Sequence, residues 1–479
     1  MQGSSMALRV RPPTLVALAL SLLVLSIWRG ACVLAGPDID TDAYAHHMIA
    51  RAILADPRDL AVHWVWLPLF HYAQVPLVAL GGTLNAVRWF NVALAAALPV
   101  VLFEFVRRTA RARESGIAPE AVALLAALFA AACPIAMQMG TTAQPEPLFA
   151  LLVVGAAIAF QQDRAGWTAA LLGAAVMLRY EAWASLGVVS GFVVVRRGRG
   201  WPAVAVPVAL ILLWAALRRP VDGQWFAFLR QTRQFANDAL HQKSGVLGDL
   251  LYYPVQTAYR VTGSTLPLAV FGVVRTVRQQ GARFVLVLGA CLGFVSLTWI
   301  TRSSLGLDRH FVCVVPLYAV FSAQGLAAIA DALARWTRHA TAARGLAALL
   351  AVASLAGLLV QLDVWMGFWR GSIQRGWPER SALAAYLDAL PGDRTLFCDD
   401  ATIELLTHVD RRRFDRHWTD DPHTWDLVHE AARAHGPVYV VTWRRKLQGH
   451  DGDGEIAFTA GADPADPDHT GVAVLRVER

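Results

Sequence analysis

Residues 37–72 read PDIDTDAYAHHMIARAILADPRDLAVHWVWLPLFHY, a polar stretch between two apolar runs. It gathers Asp38, Asp40, Asp42, His46, His47, His63 and His71 into one short segment. Carboxylates and imidazoles beside a bilayer cost free energy unless solvated or paired, so such a cluster marks a functional site at a membrane boundary. The stretch is read as an active-site loop on the outer face of a multi-spanning protein.

The flanking sequence supplies the membrane. The 479-residue chain is 56% hydrophobic and 16% charged, with a mean hydropathy of +0.42. Soluble domains carry about 25% charged residues, so this chain lacks the polar surface to cover itself in water. Its apolar residues recur in runs of about 15 to 22, enough for a helix to cross roughly 30 Å of hydrocarbon. The expected fold class is an α-helical polytopic membrane protein with a small C-terminal extracytoplasmic α/β domain. The net charge of +7 does not point to nucleic acid, because the arginines fall in short connectors between apolar runs, the positive-inside pattern. The five cysteines include no CxxC pair, which leaves neither a zinc site nor a disulfide framework.

Residues 14–35 form the first expected span. Val33-Leu34-Ala35 loosely fits a signal-peptide cleavage site, but with so many spans following, an uncleaved first helix suffices. Residues 66–82 decide the topology. Counted as a span, they would put Arg107, Arg108, Arg111 and Arg113 outside; counted as a helix lying in the outer interface, they put them inside. Pro68, Pro76, His71 and Gln74, with Trp64 and Trp66 at headgroup level, suit the interfacial helix. The remaining spans are then 85–106, 120–139, 146–161, 166–178, 182–195, 201–217, 264–274, 284–300, 310–330 and 345–363. With the first helix they make about eleven, the amino terminus cytoplasmic and the carboxyl terminus outside. The connector 218–263, with Trp225, Phe226, Phe228 and Phe235 among polar residues, reads as resting on the membrane surface. Residues 1–370 are the expected membrane domain, with an outer active-site loop at 36–82. Residues 371–479 are the expected α/β domain, with helices at 381–390 and 425–434, strands at 394–398, 438–443 and 472–477, and a loop at 449–470.

Several residues could carry chemistry. Asp40 and Asp42 bracket Thr41 at the start of an expected helix, 42–55. One of them as an N-cap is worth about 1 kcal/mol; two carboxylates plus Asp38 exceed what one cap requires, and either could take a proton from an attacking hydroxyl. His46 shares a helix face with Asp42 at the i,i+4 spacing, as an orienting partner or a metal ligand would, though a hydrogen-bonded interface histidine is the plainer reading. His63 and His71 could contact a lipid phosphate. Glu146 opens a span, where it also complements the helix dipole. Arg179-Tyr180-Glu181 interrupts two apolar runs, as a structural ion pair or as part of a site. Arg88, Arg302 and Arg309 begin or precede spans at the outer face; their guanidinium forks match phosphate geometry, with interface snorkelling as the alternative.

In order along the chain, Asp40-Thr41-Asp42-Ala43-Tyr44, Trp66-Leu67-Pro68-Leu69, Gly81-Gly82 before Arg88-Trp89-Phe90, Glu146-Pro147-Leu148, Leu178-Arg179-Tyr180-Glu181 and Arg309-His310 before Pro316 resemble the GT-C superfamily of membrane glycosyltransferases. The similar branch holds the protein O-mannosyltransferases and the aminoarabinose transferases of lipid A. The resemblance implies an inverting hexosyl- or pentosyltransferase of the cell membrane. Its donor would be a polyprenyl-phosphate sugar, its acceptor a hydroxyl or amine of a protein, lipid or glycan, and its base Asp42 or Asp40. It further implies donor-phosphate contacts from Arg309, Arg88, Arg302, His63 and His71, with Glu146, Arg179, Tyr180, Glu181 and His46 positioning substrate. Two departures stand out: Asp-Thr-Asp replaces the adjacent Asp-Glu pair, and Trp-Leu-Pro-Leu replaces the Lys/His-Pro-Pro run. Nothing in the sequence requires a divalent cation or other cofactor. A transporter or lipid flippase is the competing reading, against which the charges gather at one face instead of the bilayer midplane.

Overall fold

The apolar runs fold as helices in a computed structural model of the chain. The structure describes residues 12–110, 117–198, 200–239, 246–301, 303–392, 394–398, 400–409, 413–415, 422–447, 450, 452–461 and 471–478. Its contacts divide the chain into two compact units: Met1–Ala35 with Ile49–Arg370, and Gly36–Met48 with Gly371–Arg479.

The first unit carries the membrane. Among the described residues, six segments are long and apolar enough to cross a bilayer: Pro12–Ala35, Leu84–Thr109, Pro202–Asp222, Ala282–Ile300, Val315–Thr337 and one beginning at Ala340. Shorter apolar helices fill Pro119–Ala131, Glu146–Gln161, Ala165–Val176 and Glu181–Val195, and Leu266–Gln280 takes the run expected at 264–274. The expected single helix over 120–139 is two, Pro119–Ala131 and Pro134–Met139. Pro134 has no N–H to donate and pushes Cys133 into extended geometry, which breaks the helix there. The 66–82 segment forms the helix Leu69–Ala79, whose 11 residues span only about 16 Å, too little to cross hydrocarbon. Gly81 closes its exit turn at φ +78°.

Leu266–Gln280 and Val315–Thr337 pack with almost no side chain between them. A Cβ on Gly272 would fall 1.7 Å from the Phe321 carbonyl oxygen, and one on Gly325 1.8 Å from that of Leu268. Small residues let membrane helices approach in this way, and dispersion replaces the hydrophobic effect as the attraction. Gly272→Val should therefore force the pair apart and destabilise the unit by at least about 1–3 kcal/mol, the usual cost of overpacking. Thermal unfolding in detergent measures it, and an unchanged midpoint would refute the contact. At the other connectors, Trp167, Trp201 and Trp336 stand 64%, 64% and 83% exposed beside Arg164, Arg197 and Arg335, as an interfacial aromatic belt requires.

In the second unit, Pro378–Asp388 and Pro422–His435 are helices and the strands form one mixed sheet in the order β2-β1-β3-β5-β4. Here β1 is Leu396–Cys398, β2 Phe414–Asp415, β3 Val438–Trp443, β4 Glu455–Ala460 and β5 Val472–Val477. β1 lies parallel to β2 and β3, and β5 antiparallel to β3 and β4. β4 lies inside the stretch expected to be loop. Its Asp, Gly and Pro neighbours mask a short run that gains strand geometry only by pairing with β5. Phe397, Val440, Leu475 and Val428 fill the core on one side; Leu396, Val441, Val474 and Leu383 fill the other.

Candidate functional site

The acidic turn belongs to the second unit. Asp40 precedes the helix Thr41–Ala55 and its Oδ1 accepts the Asp42 N–H at 3.1 Å, satisfying a donor the helix start would leave open. The Asp38 side chain accepts the Asp40 N–H at 3.1 Å and is itself buried. Asp42 lies in the first helical turn and is half-buried, on the positive end of the helix dipole, which favours its ionised form. Asp38 and Asp40 thus each accept a backbone N–H within the turn, and Asp42 follows in the first turn of the helix. His46, one helical turn on, and His47 are both buried.

The first unit brings four other expected residues together. The Arg179 guanidinium bridges two carboxylates: Nη1 reaches Glu146 Oε1, while Nη2 lies 2.8 Å from Glu181 Oε1 and Nε 3.2 Å from both Glu181 oxygens. Arg309 Nε lies 3.6 Å from the same Glu146 oxygen. Glu146 and Glu181 open the helices Glu146–Gln161 and Glu181–Val195, so helix dipoles assist the arginines in holding two ionised carboxylates, 1% and 4% exposed. Tyr180 turns elsewhere: its hydroxyl donates to the Val65 carbonyl at 2.5 Å and its ring stacks on Phe228.

That Tyr180 bond is one of several that dock the segment before Leu69–Ala79. Leu69 N–H donates to the Met177 carbonyl at 3.0 Å. Arg218 Nη1 and Nη2 donate to the carbonyls of Leu60 and Trp64, each at 3.0 Å, while its fork grips Asp222. His63 and His71 meet each other, Nδ1 to Nδ1 at 2.8 Å, and both are fully buried. Such a contact needs one Nδ1 to donate and the other to accept, hence a neutral acceptor ring. Burial first, and the Arg218 charge second, push His63 down to about 3. Because the folded value lies below the ordinary one, His63 favours folding above about pH 6.5, and that contribution is lost as pH falls from there toward the folded value. The midpoint of thermal unfolding should fall between pH 7 and pH 5 more steeply in the parent protein than in His63→Gln. Parallel curves would refute the assignment.

Arg88 is completely buried and donates to main-chain carbonyls: Nε to Thr141 at 2.8 Å, Nη1 to Val33 at 3.1 Å and Nη2 to Cys32 at 3.3 Å. It ties the end of the first helix to the loop before Glu146. Arg302 lies outside the described residues. Arg260, not singled out in the sequence, sits in the π-helical turn Thr257–Thr262, 4.3 Å above the Trp365 ring and 2.6 Å from Asp308. It lines a cavity of about 170 Å³ with Pro134, Tyr259, Gln361, Val364 and Trp365. Its one sequence signal is an arginine shortly before an apolar run. Among the described residues, no group of three or more His, Cys, Asp or Glu is arranged to hold a metal ion.

No family model and no curated protein matches the chain. Solved structures do. ArnT from Cupriavidus metallidurans bound to undecaprenyl phosphate superposes with a TM-score of 0.62 at 16% identity, over 96% of this chain and 97% of that one. The apo form of the same protein gives 0.58 at 15% identity over the same shares. The archaeal oligosaccharyltransferase AglB from Archaeoglobus fulgidus, in complex with an inhibitory peptide and a dolichol-phosphate, gives 0.51 at 12% identity, over 88% of this chain and 69% of that one. This chain has the GT-C fold. The GT-C likeness expected from short motifs in order is thereby present as architecture over 96% of the chain.

Proposed function

We propose that this GT-C protein is an integral membrane glycosyltransferase that moves a sugar from a polyprenyl-phosphate donor to a hydroxyl or amine acceptor on the extracytoplasmic face. The observation that carries the reading is a GT-C fold across 96% of the chain with an aspartate-bearing helix start placed directly after the first membrane helix. The lipid phosphates named with ArnT and AglB support the donor class.

In this reading Asp42 takes the proton of the acceptor, whose oxygen or nitrogen attacks the anomeric carbon. The bond from that carbon to the phosphate oxygen breaks, and its electron pair leaves with the polyprenyl phosphate. One displacement inverts the configuration. Asp40, holding the helix cap, orients Asp42. Charge develops on the leaving phosphate, where preorganised cations give the largest electrostatic stabilisation. By the family resemblance Arg309 is a candidate for that work, and Arg260 on its cavity lining is another. The Arg260 cavity has apolar, exposed Val364 on its lining, which suits a lipid carrier entering from the bilayer.

Purified protein incubated with a panel of polyprenyl-phosphate sugars should release polyprenyl phosphate from one class, with transfer to an added acceptor. No consumption of any donor, with transport of one across vesicles, would sink the transferase reading. Arg260→Leu should raise the donor KM about tenfold or more, as loss of a charged hydrogen bond of about 1.5–3 kcal/mol implies; an unchanged KM would remove Arg260 from the site.

A further inference from the structure

The acidic turn is held at both ends by the segment that leads into the C-terminal sheet domain. At its start, a Cβ on Gly36 would fall 2.7 Å from the Ile373 carbonyl oxygen, and a Cβ on Gly376 would meet Pro37 Cγ at 3.7 Å. At its far end, buried Tyr44 packs on Trp377 with ring centroids 5.6 Å apart. Trp377 in turn covers the Arg380 guanidinium, whose central carbon lies 4.2 Å from that ring and 4.9 Å from the ring of Trp443 at the end of β3. Arg380 is 5% exposed, and its Nε donates to Asp400 Oδ2 at 2.8 Å. The other Asp400 oxygen accepts the Thr402 N–H and caps the helix Ala401–Leu406. A stack therefore runs Tyr44, Trp377, Arg380, Trp443, with one end two residues from Asp42 and the other in the sheet.

We propose that Arg380 is a positioning residue: clamped between two indoles and fixed by Asp400, it sets the place of Trp377 and so of the helix start that carries Asp40 and Asp42. The proposal rests on the catalytic reading of those aspartates. A planar guanidinium can lie against two aromatic faces while one edge bonds a carboxylate; an ammonium meets such faces only as a point charge. The arginine is thus chemically specific at this place, and the C-terminal domain acts on the turn through it. A shift of about 1 Å at a reacting group can lower a rate about a hundredfold.

Two readouts in the full-length protein test this. The described cysteines are all buried, so a nitroxide label on Thr41→Cys, at an exposed position, reports the turn selectively. Arg380→Met should mobilise the label, lower kcat at least about tenfold with little change in donor KM, and shift the acidic limb of the kcat–pH profile. Arg380→Lys should fall between Met and the parent. If Arg380→Met does not fold, Trp377→Phe is the milder break in the same stack and should move the same quantities in the same direction. An unchanged label spectrum, or a mobilised label with an unchanged pH profile, overturns the proposal. Full turnover in Asp42→Asn would instead overturn the base assignment, and the label alone would then decide whether Arg380 anchors the turn.

Discussion

Asp42→Asn should lower kcat by about 10²–10⁴, the range general-base catalysis supplies, while the unfolding midpoint stays near that of the parent. The amide keeps the size and polarity of the carboxylate but cannot accept a proton from the acceptor. Asp40 offers the control. Asparagine caps helices about as well as aspartate, so Asp40→Asn should retain most turnover, whereas Asp40→Ala should cost about 1 kcal/mol of stability and part of the rate. Sugar transfer from a radiolabelled donor at saturation, with melting curves on the same samples, separates the cases. Equal losses in Asp40→Asn and Asp42→Asn would assign the proton transfer to both carboxylates acting together and overturn the division between cap and base.

The largest effect on stability belongs to Arg179. Removing its charge in Arg179→Met takes from buried Glu146 and Glu181 the guanidinium that bridges them, with Arg309 Nε still 3.6 Å from Glu146, and breaking a buried ion pair from one side costs about 3–5 kcal/mol. The triple variant Arg179→Met, Glu146→Gln, Glu181→Gln should recover much of that loss, because the penalty lies in the stranded charges. The midpoint of thermal unfolding in detergent, or the yield of folded protein, reports both. A triple variant no more stable than Arg179→Met would mean the arginine acts by its shape and not by its charge.

The helical membrane architecture was legible because hydropathy reports directly on a solvent with no hydrogen bonds to offer. Every expected span is helical, and where the boundary failed, at Pro134, the proline itself carried the warning. The sheet domain was less legible. β3 and β5 are dense in valine and could be read alone, while β4 and the two-residue β2 exist through pairing with distant strands, which no local pattern records. The site divides in the same way. Glu146, Arg179, Glu181 and Arg309 share a cluster, and each marks a break in an apolar run. Arg88, also at such a break, donates to backbone carbonyls; residue type and depth do not reveal where a fork of donors points. Arg260 was passed over because its surroundings look like a surface connector until Trp365, about a hundred residues later, is laid under it. The buried face of Arg380 was equally hidden, its partners being spread over strand and helix ends.

That residues 36–48 pack with 371–479 has a consequence for biosynthesis. The aspartates emerge from the ribosome well before the part of the chain they pack with. At about 5–20 residues per second that interval lasts on the order of tens of seconds, through the insertion of every intervening helix. A product truncated before residue 371 would carry the carboxylates without the segment they pack against.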